Sequence, residues 1–185
     1  MSWIKKITPE GADGELADFY RAIGGSRGGV AEVHQVQSLN PRAMKAHLEL
    51  YKSVVFARSS LSRIQRERIA VTVSAANACR YCVNHHGQAL RNLHDEPEVV
   101  EALSRGEFPA ALSEADATLL RWARDMTLRP ADAEEAHVAR LRELGFDDRA
   151  ILDGTLTIGY FNFVNRLVLL LGCDLEQGYE DTCGV

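Results

Sequence analysis

Arg66-Glu67-Arg68-Ile69-Ala70-Val71-Thr72-Val73-Ser74-Ala75-Ala76-Asn77-Ala78-Cys79-Arg80-Tyr81-Cys82-Val83-Asn84-His85-His86-Gly87-Gln88-Ala89-Leu90 is the stretch on which the fold turns. Ile69 to Val73 is the nearest approach to a strand anywhere in the chain, yet Gln65 to Ala78 reads better as one buried helix. If Cys79 to His86 is also helical, positions i, i+3 and i+7 fall on one face, and both sulfurs and the His86 ring point the same way. A dithiol so placed closes and reopens a short disulfide, and the imidazole can draw a proton from the nearer sulfur.

Outward from this segment the apolar spacing stays helical. It predicts helices at 14–23, 30–38, 41–57, 62–77, 78–93, 97–105, 114–127, 133–144 and 148–171. Ser62 with Gln65 and Asp132 with Glu135 have capping-box spacing, and Asp95-Glu96-Pro97 opens a helix with proline in its first turn. Gly106, Gly145 and Gly172 each follow an apolar helical stretch, where a left-handed C-terminal cap is expected. Gly24 to Gly29 reads as a flexible connector. The fold class is therefore all-α. Shifting the chain against itself lays Glu67 on Asp147, Tyr81 on Phe161, Cys82 on Asn162, His86 on Arg166 and Leu90 on Leu170, the pattern of a repeated helix pair whose second copy lacks the thiols.

The 185 residues suit one domain spanning 1–185, with 1–37 as a helical arm and 38–175 as the core. An apolar fraction of 46% and a charged fraction of 25% are those of an ordinary globular protein. The net charge of −5 argues against nucleic acid as the main partner, because phosphate binding needs a basic surface. The N-terminus has no apolar secretory segment, and the run Leu167 to Leu171 is too short to cross a bilayer. The expected compartment is the cytoplasm, with neither membrane nor nucleic acid as partner. There, a close cysteine pair is catalytic or metal-binding more often than structural.

Cysteine reacts as thiolate, and a free thiol with a pKa of about 8.5 is mostly protonated at neutral pH. A helix starting near Asn77 or Ala78 would put both cysteines in its first turns, where unpaired amides favour negative charge. His86, one turn after Cys82, is placed to accept its proton. Zinc is the competing use of the pair, but a structural site needs four ligands, and Cys173 and Cys183 do not form a second knuckle with any spacing. No cofactor or metal is expected. For Glu67 the residues alone favour an ion pair with Arg63 or Arg66.

Glu67, Cys79-x-x-Cys82 and His86, in that spacing, resemble the signature of the alkylhydroperoxidase AhpD-like family, within the carboxymuconolactone decarboxylase superfamily. Asn77-Ala78-Cys79-Arg80-Tyr81-Cys82-Val83-Asn84-His85-His86-Gly87 is similar in context, and Phe161-Asn162-Phe163-Val164-Asn165-Arg166-Leu167 with Leu171-Gly172 resembles the longer, peroxidase-related members. The likeness runs from about Ser38 to Leu175. It implies an all-α fold, a trimeric or hexameric homo-oligomer, and peroxide reduction. By position, Cys82 would attack the peroxide, Cys79 would resolve the sulfenic acid, His86 would act as base, and Glu67 would stand behind it. The reductant would be an external thiol or dithiol, a lipoylated protein among them. Tyr81 stands where the best-known members carry a histidine between the cysteines, so a relay through that residue is not implied. The decarboxylase branch lacks the dithiol.

On this reading Cys82 has the lower pKa, because the imidazole reaches it more easily than Cys79; against it stands the rule that in many C-x-x-C redox helices the first cysteine, nearer the helix N-terminus, is the nucleophile. The alternatives to a peroxidase are a dithiol–disulfide oxidoreductase and a non-enzymatic redox sensor or scaffold using the same pair. Elsewhere, Tyr81 reads as packing, and His85 as a solvated or interface residue. Phe161, Phe163, Leu167, Leu170 and Leu171 read as a core or subunit-interface stripe. Cys173 and Cys183 read as ordinary free thiols. His34, His47, His94 and His137 have no partner at useful spacing. Asn162, Asn165 and Arg166 read equally as cleft residues or as buried hydrogen-bonding groups.

Overall fold

A computed structural model describes residues 2–24 and 29–176; the expected connector at 24–29 and Cys183 fall largely or wholly outside them. The described residues form helices joined by short turns, with no strand among them. The helices are α1 (Gly14–Gly24), α2 (Glu32–Gln35), α3 (Pro41–Tyr51), α4 (Arg63–Ala76), α5 (Arg80–Asn92), α6 (Pro97–Ser104), α7 (Glu114–Leu128), α8 (Glu135–Glu143) and α9 (Asp148–Leu171). The apparent strand Ile69–Val73 lies inside α4, where Ile69, Ala70, Val71, Thr72 and Val73 are all buried. A helix apolar on every side belongs at the centre. Accordingly α4 packs against α5, α6, α7 and α9.

Local chemistry sets most boundaries. The Ser62 hydroxyl accepts from the Gln65 amide (3.1 Å) and the Gln65 side chain accepts from the Ser62 amide (2.9 Å), which closes the expected capping box at α4. The box expected at Asp132 moves along the chain. Asp132 belongs to a 3₁₀ turn (Pro130–Asp132), and Glu134 and His137 form the box that opens α8. The helix expected at 30–38 contracts to α2. That expected at 41–57 ends as an α-helix at Tyr51 and continues as one π-helical turn, Lys52–Phe56. The buried Arg66 guanidinium supports this turn by donating to the Val54 carbonyl (3.2 Å) and the Ala57 carbonyl (2.8 Å).

The repeated helix pair is not present. α4 and α5 are separated by a sharp turn in which Ala78 takes a left-handed conformation (φ 54°), whereas the matching residues Thr157, Ile158 and Gly159 continue one unbroken helix. The side-chain pattern therefore recurs without the turn that would make a second pair. α9 ends at Gly172 (φ 69°), where a Cβ would lie 2.6 Å from the Trp3 indole nitrogen. Close approach and a left-handed backbone both require glycine there.

Candidate active site

Glu67 is fully buried on α4, and its carboxylate holds two partners at once. Oε2 lies 2.6 Å from His86 Nδ1 on α5, and Oε1 accepts from Arg63 Nε (2.9 Å) and from a terminal guanidinium nitrogen of Arg63 (2.5 Å). The ion pair with Arg63 is real, but it is in the interior rather than at the surface. Burial alone would raise the Glu67 pKa. The His86 and Arg63 charges and hydrogen bonds outweigh it and hold the carboxyl below its ordinary value. A carboxylate only accepts, so His86 Nδ1 carries the proton and Nε2 is the nitrogen left to exchange one. The ring is fixed edge-on against Phe161, with centroids 4.5 Å apart.

Cys82 lies within α5, one turn before His86, while Cys79 is the N-cap residue and not part of the helix (φ −88°, ψ 87°). Its amide donates to the Ser74 carbonyl (2.8 Å), which ties it to the end of α4. Both cysteines are buried free thiols. The two thiols shift each other's acidity in opposite directions. A hydrogen bond from the Cys82 thiol lowers the Cys79 pKa against the cost of burial, with help from the Cys82 backbone amide and the Asn165 side chain. That same shared hydrogen bond, burial and the nearby Cys79 charge push the Cys82 thiol well above its ordinary value. The main physical reason is the thiol pair itself: Cys82 gives its proton to the Cys79 sulfur, which favours charge on Cys79 and disfavours it on Cys82.

Asn165, on α9, was read in the sequence only as one of several ambiguous polar residues. It is fully buried and interacts with both thiols. Its Nδ2 donates to the Ser74 hydroxyl (3.1 Å), and its Oδ1 accepts from Asn77 Nδ2 (3.0 Å), which also reaches Asn162 Oδ1 (3.1 Å). Asn162 in turn donates to Thr127 (3.1 Å), and Arg166 donates to the Asn162 side chain (2.9 Å) from the exposed side. The signal available is a pair of amides, Asn162 and Asn165, three residues apart inside an apolar stretch.

Other residues change standing. Cys173 is half-buried against the core, and burial together with Glu32, Cys79 and Glu176 pushes its thiol up to about 12. It is thus part of the dithiol's surroundings. The His85 ring lies tilted at 45° against Tyr81, with centroids 4.3 Å apart, and pairs with Glu176 rather than with solvent. His47, expected to lack a partner, is buried. Gln37 Nε2 donates to its Nδ1 (2.8 Å), so its Nε2–H donates to the Tyr160 hydroxyl (2.7 Å). Burial brings its pKa down to about 4, so it is neutral at physiological pH. Among the described residues, no three His, Cys, Asp or Glu side chains converge as metal ligands.

Comparison with known proteins places the fold and the segment that carries this site. The sequence model of the carboxymuconolactone decarboxylase family matches residues 41–125, which include Glu67, Cys79, Cys82 and His86. The chain is 30% identical to an uncharacterized peroxidase-related protein from Silicibacter sp. TM1040, over 100% of both chains and with a TM-score of 0.82. A second structure, an uncharacterized peroxidase-related protein from Ralstonia eutropha JMP134 described as an alkylhydroperoxidase AhpD core, has the same fold. It is 23% identical with a TM-score of 0.87, over 100% of this chain and 97% of that one. The uncharacterized protein YdfG of Bacillus subtilis (strain 168) is 26% identical over 133 residues, 71% of this chain and 88% of its own length. With its helices, its matched segment and its full-length relative in agreement, the chain belongs to the carboxymuconolactone decarboxylase family, among the AhpD-like members.

Proposed function

We propose that this protein is a thiol-dependent peroxidase that reduces hydrogen peroxide or organic hydroperoxides through Cys79 and Cys82. The observation that carries the reading is the pair of buried free thiols at the start of α5, the second of them one turn from an imidazole oriented by a buried carboxylate. The Cys79 thiolate attacks the terminal peroxide oxygen. The O–O bond breaks, Cys79 becomes a sulfenic acid, and the alkoxide leaves with a proton that His86 draws from Cys82. The Cys82 thiolate then attacks the Cys79 sulfur and expels hydroxide, which solvent protonates to water. An external thiol or dithiol reduces the resulting Cys79–Cys82 disulfide. The resting acidities favour Cys79 as the attacking sulfur, in place of the Cys82 expected from the sequence.

Stopped-flow mixing of the reduced protein with hydrogen peroxide and cumene hydroperoxide should give oxidation at least ~100-fold faster than that of free cysteine at the same pH. Mass spectrometry should find the Cys79–Cys82 disulfide. Peroxide oxidation at the free-thiol rate, with rapid oxidation by small disulfides, would establish the dithiol–disulfide oxidoreductase reading instead.

We also propose that the subunits assemble on the outer face of α9. Phe161, Val164 and Val168 of the apolar stripe enter the core, but Leu152, Leu156, Phe163 and Leu170 stay exposed, the last three at heptad spacing. Light scattering should return a multiple of 20.5 kDa, and Phe163→Lys should shift the mass toward the single chain. A wild-type mass equal to one chain at micromolar concentration refutes the assembly.

A further inference from the structure

The chain leaves α9 at Gly172 and returns across the first turns of α5. It is anchored there by the Trp3 amide, which donates to the Leu171 carbonyl (2.9 Å), and by Cys173 against the core. Three residues further on, the Glu176 carboxylate meets a set of donors. Oε1 accepts from the Glu32 backbone amide (2.6 Å) and the Tyr81 phenol (2.7 Å), and Oε2 lies 3.1 Å from His85 Nε2. The Val33 amide donates to the Tyr81 oxygen (3.4 Å), which leaves the phenol proton to Glu176. The Glu32 side chain is paired with Lys6, so it does not oppose an anion at this place. Although burial resists ionisation, His85, the Glu32 amide and Tyr81 bring the Glu176 carboxyl down to about 2.

Both side-chain donors come from the helix that carries the thiols. Tyr81 lies between the two cysteines in sequence, and His85 is one turn past Cys82. The thiols are closed off, with Cys79 at 0% and Cys82 at 3% exposure, so a substrate must displace something to reach them. Glu176 is held through one carboxylate, a group that an incoming molecule can bring with it. We propose that Tyr81, His85 and the Glu32 amide form a carboxylate-binding site beside the dithiol, filled at rest by Glu176, and that a hydroperoxide bearing a carboxylate enters by taking its place. The proposal rests on the peroxidase reading only in taking the dithiol as the reacting group. The exchange conserves charge and hydrogen bonds: one carboxylate passes to water as another arrives, so recognition and opening are a single event.

Alkylation of the reduced, full-length protein tests this without peroxide. Iodoacetate and iodoacetamide react at the same carbon and differ in charge, so the ratio of their rates reports an anion site while overall access cancels. In Glu176→Ala the iodoacetate-to-iodoacetamide ratio should rise roughly tenfold, as expected for vacated charge-assisted donors. Iodoacetate should show saturation, and acetate should protect the thiols. Glu176→Ala combined with Tyr81→Phe has the same net charge as the single variant but lacks the phenol donor, and its ratio should fall back toward wild type. A ratio that stays high in the double variant, with rates linear in iodoacetate, reduces the effect to loss of a nearby charge and overturns the site. An unchanged ratio in both Glu176→Ala and Glu176→Gln overturns it as well. A protein that shows the anion site but no fast reaction with peroxide keeps this inference and loses the peroxidase reading.

Discussion

Cys82→Ser should keep a fast first reaction with peroxide and stop there, with a trappable sulfenic acid on Cys79, whereas Cys79→Ser should react roughly 100-fold more slowly. Serine at 82 still offers an O–H to the Cys79 sulfur, so the interaction that lowers the Cys79 pKa survives the substitution. Serine at 79 removes the Cys79 sulfur that helps to raise the Cys82 thiol, but Cys82 stays buried inside α5, where desolvation still disfavours the charged form. Neither variant can form the disulfide, so steady-state turnover should vanish in both. The pH profile separates them further. The Cys82→Ser rate should level off below the ordinary thiol value of about 8.5 and fall about tenfold per pH unit beneath its own midpoint, as expected for a thiolate nucleophile. The Cys79→Ser rate should still be climbing there. A dimedone adduct on Cys82 in Cys79→Ser, formed as fast as in wild type, would return the attack to Cys82.

Glu67→Ala should damage both stability and chemistry. Breaking a buried ion pair by removing one partner costs about 3–5 kcal/mol, because the other charge is left without compensation. Arg63, with its side chain 20% exposed, can reach water, which places the loss toward the lower end. Glu67→Gln keeps the volume but offers His86 Nδ1 an amide in place of a charged acceptor, and should slow disulfide formation by ~10²-fold at neutral pH. The acid limb of stability provides a second readout. Glu67 has a folded-state pKa held below the unfolded value of 4.5, so it contributes stability that is fully present above 4.5 and is lost as pH falls through the folded value. Chemical denaturation between neutral pH and pH 3 should therefore show a smaller acid loss in Glu67→Gln than in wild type. An equal loss in the two proteins would mean that the carboxylate is not ionised inside.

Much of this site was legible because its parts are close in sequence and helical spacing is rigid. Once α4 and α5 are helices, Cys82 and His86 must share a face, and the family spacing singles out Glu67 from among the acidic residues. Two readings of Glu67 that competed on paper, an arginine partner and a histidine partner, hold together in the structure because a carboxylate has two oxygens. The backbone setting of Cys79 is hidden in the sequence for a local reason. Spacing treats Cys79 as a helical residue, but the left-handed Ala78 makes it a cap, and capping chemistry follows backbone angles that composition does not reveal. Asn165, Cys173 and Glu176 come from α9 and the segment after it, and no period links them to α5. Only tertiary packing brings them to the thiols.

The order of α5 and α9 along the chain has a consequence for biosynthesis. Glu67, Cys79, Cys82 and His86 all belong to the hairpin of α4 and α5, which can form from local contacts as soon as it is made. Asn165 and the rest of α9 that cover this hairpin are translated after it, and at about 5–20 residues per second they follow by several seconds. During that interval the nascent chain carries its reactive cysteine pair without the helix that encloses it. Premature oxidation on the ribosome would then close a disulfide before Asn165 docks, and α9 would have to pack against an already oxidised hairpin.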